Sequence, residues 1–194
     1  MHIADGIVPV QAAAAADVLA LGAVFLLSRK IETAEIPKTG LMASALFLAS
    51  LFHFPFAGTS IHLGLFGLAG ILLGRRAFST VFIALLLQAF LFQHGGLLAL
   101  GLNTINMGLG ALAGRLVWRI PGFSGTCRAF AAGCVGILIP AALMSFEFML
   151  IGYGKRILFL AAVYAAVAVL EGLLTVSAVA FLGKTEPALL EARP

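Results

Sequence analysis

Residues 10–28 read VQAAAAADVLALGAVFLLS, and Asp17 is the one charged side chain in this run. About 20 predominantly apolar residues are enough for an α-helix to cross the hydrocarbon core of a membrane. Basic residues follow the run at Arg29 and Lys30, but none precedes it. A secretory signal peptide carries its positive charge before the apolar stretch, so we interpret the run as a membrane span. Since basic residues favour the cytoplasmic side, Met1 is expected outside.

The composition extends this interpretation to the whole chain. The 194 residues are 62% hydrophobic and 10% charged, with a mean hydropathy of +1.12. Soluble domains are about 45–50% apolar and about 25% charged. At about 20 residues per span plus a connection, the length has room for several spans and for no large domain outside the membrane. Nucleic-acid binding and water-soluble catalysis are therefore poor explanations of this chain.

The apolar runs predict an all-α membrane protein with seven spans. Under this assignment every Lys and Arg except Lys155 and Arg156 lies on the same side as Arg29. The positive-inside rule then places the N-terminus outside and the C-terminus in the cytoplasm. The predicted spans are 10–28, 39–54, 61–74, 79–93, 97–118, 128–151 and 157–183. We expect one transmembrane domain, 1–194, made of an outer N-terminal segment (1–9), a helical bundle (10–183) and a short cytoplasmic tail (184–194).

The predicted third span is short for a membrane core of about 30 Å. The preceding segment, 55–60, contains Pro, Gly and Ser but remains fairly apolar. Non-helical backbone is tolerated at membrane depth where it is buried in protein or lines a cavity. We therefore expect this segment to dip into the protein, which would place His62 below the surface and facing a pocket.

The N-terminal dipeptide suggests a metal chelate. The initiator Met is normally removed only before a small residue, so Met1 is expected to stay before His2 with its amine free. That amine, the amide nitrogen of His2 and the His2 imidazole can bind one ion through a five-membered and a six-membered ring once the amide is deprotonated. A further imidazole, for which His62 is the candidate, would complete a square-planar set of four nitrogens. That geometry suits Ni(II) or Cu(II) better than Zn(II) or Mg(II).

Two further histidines, His53 and His94, are expected on the same outer side as His2 and His62. A histidine near a helix end is often an ordinary hydrogen-bonded interfacial residue, and this interpretation stays open for His53 and His94. Asn103 and Asn106 are three residues apart and share a helix face. They could hydrogen-bond a metal-bound histidine or tie the fifth span to its neighbours. Asp5 could orient the N-terminal segment or attract the cation.

Four motifs occur along the chain: Met1-His-Ile-Ala-Asp-Gly6, Gly58-Thr-Ser-Ile-His-Leu63, Gln93-His-Gly-Gly96 and Leu102-Asn-Thr-Ile-Asn-Met107. Their combination and order resemble the M subunits (CbiM/NikM) of cobalt and nickel energy-coupling-factor (ECF) transporters. These subunits are the membrane substrate-binding, or S, components of ATP-binding-cassette uptake systems. The resemblance covers most of the chain and is strongest over residues 1–114.

The resemblance implies a seven-helix, non-catalytic subunit whose N-terminal segment inserts into its own outer pocket. Its metal ligands would be the Met1 amine, the His2 amide and imidazole nitrogens, and His62. The residues that could surround these ligands are Asn103, Asn106, Asp5, Ser60, His94 and His53. The transported ligand would be Ni(II) or Co(II), with no resident cofactor.

The same resemblance implies partners and a location. The partners would be a T-type membrane coupling subunit, two ATP-binding subunits and in some systems a small accessory membrane subunit, with no nucleic acid. The chain contains no GxxxxGK[ST] motif, so ATP hydrolysis would belong to separate subunits. The location would be the cytoplasmic membrane of a bacterium or archaeon, crossed several times.

The residues also bear on two other functions. A stand-alone ion or small-molecule carrier predicts internal repeats with paired broken helices, and no convincing repeat is visible. An intramembrane hydrolase could use Ser60 and His62, but the chain has neither a GxSxG nor an HExxH motif. Glu147 and Glu171 could serve ion passage, although a carboxylate that binds a polar neighbour is the simpler account of both.

Overall fold

The computed structural model describes residues 1–29, 31–51, 53–56, 59–152 and 157–190. Helices dominate these ranges, together with short 3-10 turns at Thr33–Glu35, Gly74–Arg76 and Pro187–Leu189. The α-helices of the described part are α1 (Val10–Ser28), α2 (Ile36–Leu51), α3 (Phe66–Leu73), α4 (Ala77–Phe92), α5 (Leu100–Trp118), α6 (Gly125–Leu150) and α7 (Ile157–Thr185).

Four helical stretches in the described ranges are long and apolar enough to cross a membrane. Three of them lie close to single predicted spans, and α1 matches its predicted bounds. The fourth, Phe66–Phe92, overlaps two predicted spans, 61–74 and 79–93. The helix α6 begins at Gly125, ahead of the predicted 128, because the Ser124 side chain accepts a hydrogen bond from the Cys127 amide and caps the helix. The four stretches are Val10–Ser28, Phe66–Phe92, Gly125–Leu150 and Leu160–Thr185.

The predicted third span, 61–74, is wrong at its start. Two short antiparallel strands, β1 (His53–Phe56) and β2 (Thr59–His62), precede the helix, and His53 pairs with His62. Helix α3 begins only at Phe66 and has 8 residues. At 1.5 Å per residue it is about 12 Å long, too short to cross the core by itself. The predicted dip of 55–60 falls partly outside the described residues, at 57 and 58.

Helix α3 lies inside the protein and packs backbone to backbone against its neighbours. A Cβ added to Gly67 would lie 2.7 Å from the Cα of Gly133 in α6, and one added to Gly70 would lie 2.9 Å from the Arg115 nitrogen in α5. Small residues permit such close helix contacts. The short helix is thereby fixed between α5 and α6, and it fixes in turn the strand that carries His62.

Charged side chains divide the bundle into two ends. At the end where α4 begins, Arg76 forms an ion pair with Glu35, and Lys38 donates to the Leu189 carbonyl oxygen at 3.2 Å. Arg75 and Arg119 interact electrostatically with Arg115 at this end. The N-terminal segment and the histidines lie at the other end of α4, as described next.

Candidate metal centre

The first three residues of the chain are buried, although chain termini are usually exposed and poorly ordered. Met1 is 1% exposed, His2 3% and Ile3 0%. The Asn103 side chain holds this segment by two hydrogen bonds to the main chain. The Ile3 amide donates to Asn103 Oδ1 at 2.8 Å, and Asn103 Nδ2 donates to the Ile3 carbonyl oxygen at 2.9 Å. The first residues of the chain therefore lie in a defined position against α5.

Two carboxylates attach the N-terminal part of the chain to the beginning of α5. Asp5 accepts hydrogen bonds from the amides of Leu97 at 3.0 Å and Ala99 at 2.9 Å. Asp17, on α1, accepts one from the Gly101 amide at 2.6 Å. The first amides of a helix have no partner within it, and they favour negative charge. Asp5 thus orients the N-terminal segment in this structure.

The His-Gly-Gly turn forms the wall against which this segment packs. Gly95 and Gly96 have φ of +85° and +80°, values that residues with a Cβ rarely adopt. A Cβ on Gly95 would lie 2.7 Å from His2 Nδ1, and one on Gly96 would overlap the Asp5 carboxylate. The two glycines are needed both for the turn and for the close approach of the N-terminal segment.

Three imidazoles converge beside the N-terminal amine. The ring centroids of His2 and His62 are 4.8 Å apart, and those of His2 and His94 are 4.3 Å apart. One nitrogen from each of these three residues lies within 4.8 Å of the others. The Nε2 atoms of His2 and His62 are buried and have no hydrogen-bond partner among the described residues. Since a buried unpaired polar group costs about 1–3 kcal/mol, the pocket fits a bound cation.

Burial favours the unprotonated forms of the candidate ligands. It lowers the pKa of the Met1 amine, of His2 and of His62 well below their ordinary values, and the neighbouring positive charges lower the pKa of both imidazoles further. The pKa of His94 is lowered to about 4, mainly by burial. The unprotonated forms of these groups offer lone pairs, and ligands must be deprotonated to bind a metal.

The His62 ring is set by its hydrogen bond. Its Nδ1 lies 2.8 Å from the Leu63 carbonyl oxygen. Because a carbonyl oxygen can only accept, Nδ1 must carry the proton and Nε2 the lone pair. The unpaired Nε2 of His62 therefore has a lone pair with which it could bind a metal ion.

A carboxylate on α7 fixes the turn that follows His62. Glu171 is 0% exposed, and its Oε1 accepts from the amides of Gly64 at 2.5 Å and Leu65 at 3.1 Å. Leu65 has φ of +51°, and α3 begins at the next residue. The sequence pointed only to a polar neighbour for this carboxylate. In the structure its partners are main-chain amides. The sequence signal for this role of Glu171 is a lone carboxylate within a membrane span.

The remaining residues named as possible neighbours of the metal ligands are Asn106, Ser60 and His53, and each makes a different contact. Asn106 donates to Glu147 Oε2 at 2.8 Å and thereby ties α5 to α6. Ser60 lies in β2, paired with Pro55. His53 is exposed, and its ring centroid lies 4.1 Å from that of His94.

The fold and the buried amine with its imidazoles define a class: helical membrane proteins with a candidate metal centre built on the N-terminus. The chain belongs to the CbiM family, whose pattern, described as a cobalt uptake substrate-specific transmembrane region, matches residues 2–189. This confirms the family resemblance drawn from the motifs. The chain is a membrane component of cobalt or nickel uptake.

Individual relatives agree. A cobalt transport protein CbiM from Sorangium cellulosum is 32% identical over 214 residues, which cover 98% of this chain and 95% of that protein. A fused nickel transport protein NikMN from Rhodobacter capsulatus is 34% identical over 122 residues, 62% of this chain and 34% of that protein. A crystal structure of a transition metal transporter is similar with a TM-score of 0.88 at 22% identity, covering 96% of this chain and 94% of that one. At this identity the last likeness shows a shared fold.

Proposed function

We propose that the chain is the substrate-binding subunit of an ECF-type, ATP-driven uptake transporter, and that it captures Ni(II) or Co(II) in the pocket around its N-terminus. The observation that carries the proposal is the buried Met1 amine beside the buried imidazoles of His2 and His62, since the proposed ligand atom of His62, Nε2, lacks a partner among the described residues. A pocket lined by unprotonated nitrogens suits nickel and cobalt, since imidazole is a favourable ligand for late transition metals.

The ligands would be four nitrogens from three residues. Met1 would supply its amine, His2 its amide nitrogen and its Nδ1, and His62 its Nε2. The six-membered chelate ring of His2 requires Nδ1, which faces Gly95, where no Cβ obstructs it. The Asn103 bonds to Ile3 would hold the first two residues in place, and Glu171 would hold the turn after His62.

Energy for uptake would come from other subunits. The sequence has no P-loop motif, so the chain would need two ATP-binding subunits and a T-type membrane subunit that couples them to it. The existence of a fused nickel transport protein NikMN among the relatives supports cooperation with further membrane components, including a small accessory one.

The orientation proposed is N-terminus outside and C-terminus in the cytoplasm, with seven spans. One observation supports the orientation: Arg76, Lys38 and Arg115 lie at the end of the bundle away from the histidines. The metal pocket would then open outside the cytoplasmic membrane of a bacterium or archaeon. Residues 1–9 would form the outer segment, 10–183 the bundle and 184–194 the tail.

The test is the metal content and visible spectrum of the purified protein, compared with a variant that carries one extra residue ahead of Met1. The matched control carries the same extra residue after Pro194. We expect stoichiometric nickel or cobalt with a square-planar spectrum in the native protein and the control, and loss of both in the N-terminal variant. Unchanged binding in that variant would remove Met1 and His2 as the chelating pair.

A further inference from the structure

His53 and His94 lie next to the proposed ligands but are not among them. We propose that these two histidines form an outer metal site, at which a divalent transition metal ion is held before it passes to His2 and His62. This inference rests on the proposed function, because it assumes that the inner pocket takes up a metal ion.

The four rings form a continuous series from solvent to the interior. His53 is exposed, His94 is half-buried, and His2 and His62 are 3% and 4% exposed. Successive centroids are 4.1 Å apart from His53 to His94, 4.3 Å from His94 to His2, and 4.8 Å from His2 to His62. An ion moving inward would therefore meet the next imidazole while it is still within reach of the previous one.

The strand pairing places an outer and an inner histidine on one face. His53 and His62 are directly opposed in the antiparallel pair of β1 and β2, and opposed residues project to the same face of a sheet. His53 Nδ1 lies 3.1 Å from the Leu51 carbonyl oxygen, which can only accept, so Nδ1 carries the proton and Nε2 the lone pair. The hairpin thus offers one ligand nitrogen at the surface and another in the pocket.

His94 is held in a constrained turn between these two positions. Gln93 and Gly95, on either side of it, have φ of +52° and +85°. The His94 amide donates to the Gln88 carbonyl oxygen at 3.2 Å. With its backbone held here, His94 has its ring close enough to those of His53 and His2 to contact an ion at each of them in turn.

A series of imidazoles would lower the barrier to metal entry into the buried site. A hydrated divalent ion must lose its water before it reaches a pocket in which Met1 and His2 are almost fully buried, and an uncompensated charge in such surroundings is very unfavourable. Imidazoles that replace the water molecules one at a time lower the barrier without changing the energy of the final complex. An outer site should therefore affect the rates of loading and release equally.

The experiment measures nickel loading of the full-length purified chain by stopped-flow absorbance, nickel release to a chelator, and the equilibrium dissociation constant, with nickel sulfate as the probe. His53→Gln removes the imidazole, a strong metal ligand, and His53→Cys replaces it with a thiolate, which also binds metal ions strongly. For His53→Gln we expect loading and release to slow by the same factor, about tenfold, equivalent to a barrier change of about 1.4 kcal/mol. The dissociation constant and the spectrum of the bound ion should not change, and His53→Cys should restore most of the rate.

The matched control is Gln11→Ala, which removes another exposed polar side chain at the same end of the bundle and should leave the loading rate as it is. Unchanged loading rates in both His53→Gln and His94→Gln would overturn the outer site while leaving the proposed function intact. A changed spectrum in His53→Gln would make His53 a ligand of the final complex and would also overturn it. If the native protein binds neither nickel nor cobalt, the proposed function itself fails, and the outer site fails with it.

Discussion

Replacing Asn103 with alanine should release the N-terminal segment from the pocket. The amide and the carbonyl of Ile3 each lose a buried partner, and both groups stay in a position where Ile3 is 0% exposed. Each unpaired buried group costs about 1–3 kcal/mol. Even at the low end, both together destabilise the seated segment by about 2 kcal/mol. If the unseated segment cannot bind, metal binding weakens by up to about thirtyfold, and the full factor applies where the seated and unseated forms of the metal-free native protein are close in free energy.

The control is Asn106→Ala. It removes the same side chain one helical turn further along α5, but that side chain binds Glu147 on α6 and not the N-terminal segment. Isothermal titration with nickel gives the dissociation constants, and labelling with an amine-reactive reagent reports whether Met1 is accessible. We expect Asn103→Ala to lose affinity and gain labelling, and Asn106→Ala to do neither in the folded fraction. An affinity within about threefold of native in Asn103→Ala, with Met1 still protected, would refute this account of the segment.

Three further predictions follow from the same contacts. Gly95→Ala should weaken nickel binding in titration more than Gly122→Ala, because both have positive φ but only at Gly95 does a Cβ meet His2. Glu171→Gln should lower both the nickel affinity and the melting temperature in detergent. It weakens the hydrogen bonds from the amides of Gly64 and Leu65 to the carboxylate, and hydrogen bonds to a charged group are worth about 1.5–3 kcal/mol each. The control is Glu147→Gln, which can still accept a hydrogen bond from Asn106. Since burial lowers the pKa of the Met1 amine, His2 and His62, the His2 amide should be the main source of released protons near neutrality. The dissociation constant should therefore rise about tenfold for each unit of acidification, and more steeply once these groups protonate; equal affinities at pH 8 and pH 5 would contradict the ligand assignment.

The sequence was informative where one local rule decides the structure. The run 10–28 is apolar, of membrane length and followed by basic residues, and it forms α1 with the predicted bounds. It was misleading at 61–74, because an apolar stretch of this length is compatible with either a strand or a helix. The structure divides it into the end of β2 and the short helix α3, whose glycines meet α5 and α6. Those close contacts depend on residues far apart in the chain.

In the candidate metal centre, too, features of adjacent residues could be predicted from the sequence, and contacts between distant residues could not. The pairing of His2 with Met1 is a property of adjacent residues, so its chelating chemistry could be read from the sequence. The contact of Ile3 with Asn103 spans 100 positions, and that of Gly64 with Glu171 spans 107. Without a fold, no spacing rule connects these residues. Asn103 was singled out as a possible neighbour of a metal-bound histidine, whereas in the structure it binds the main chain beside His2.

The pocket lowers the stability of the folded protein when no metal ion is bound. This loss of stability points to metal binding as the role of the pocket. A buried amine, two buried imidazole nitrogens without partners in the described part of the chain and the positive φ of Leu65 all oppose folding. They persist because Asn103 and Asp5 hold the N-terminal side of the pocket while Glu171 holds the His62 side. An ion bound by both sides would give the unpaired Nε2 of His62 a partner and join two parts of the bundle that separate anchors keep in place. Nickel should therefore stabilise the folded state by an amount that grows with the logarithm of its concentration above the dissociation constant.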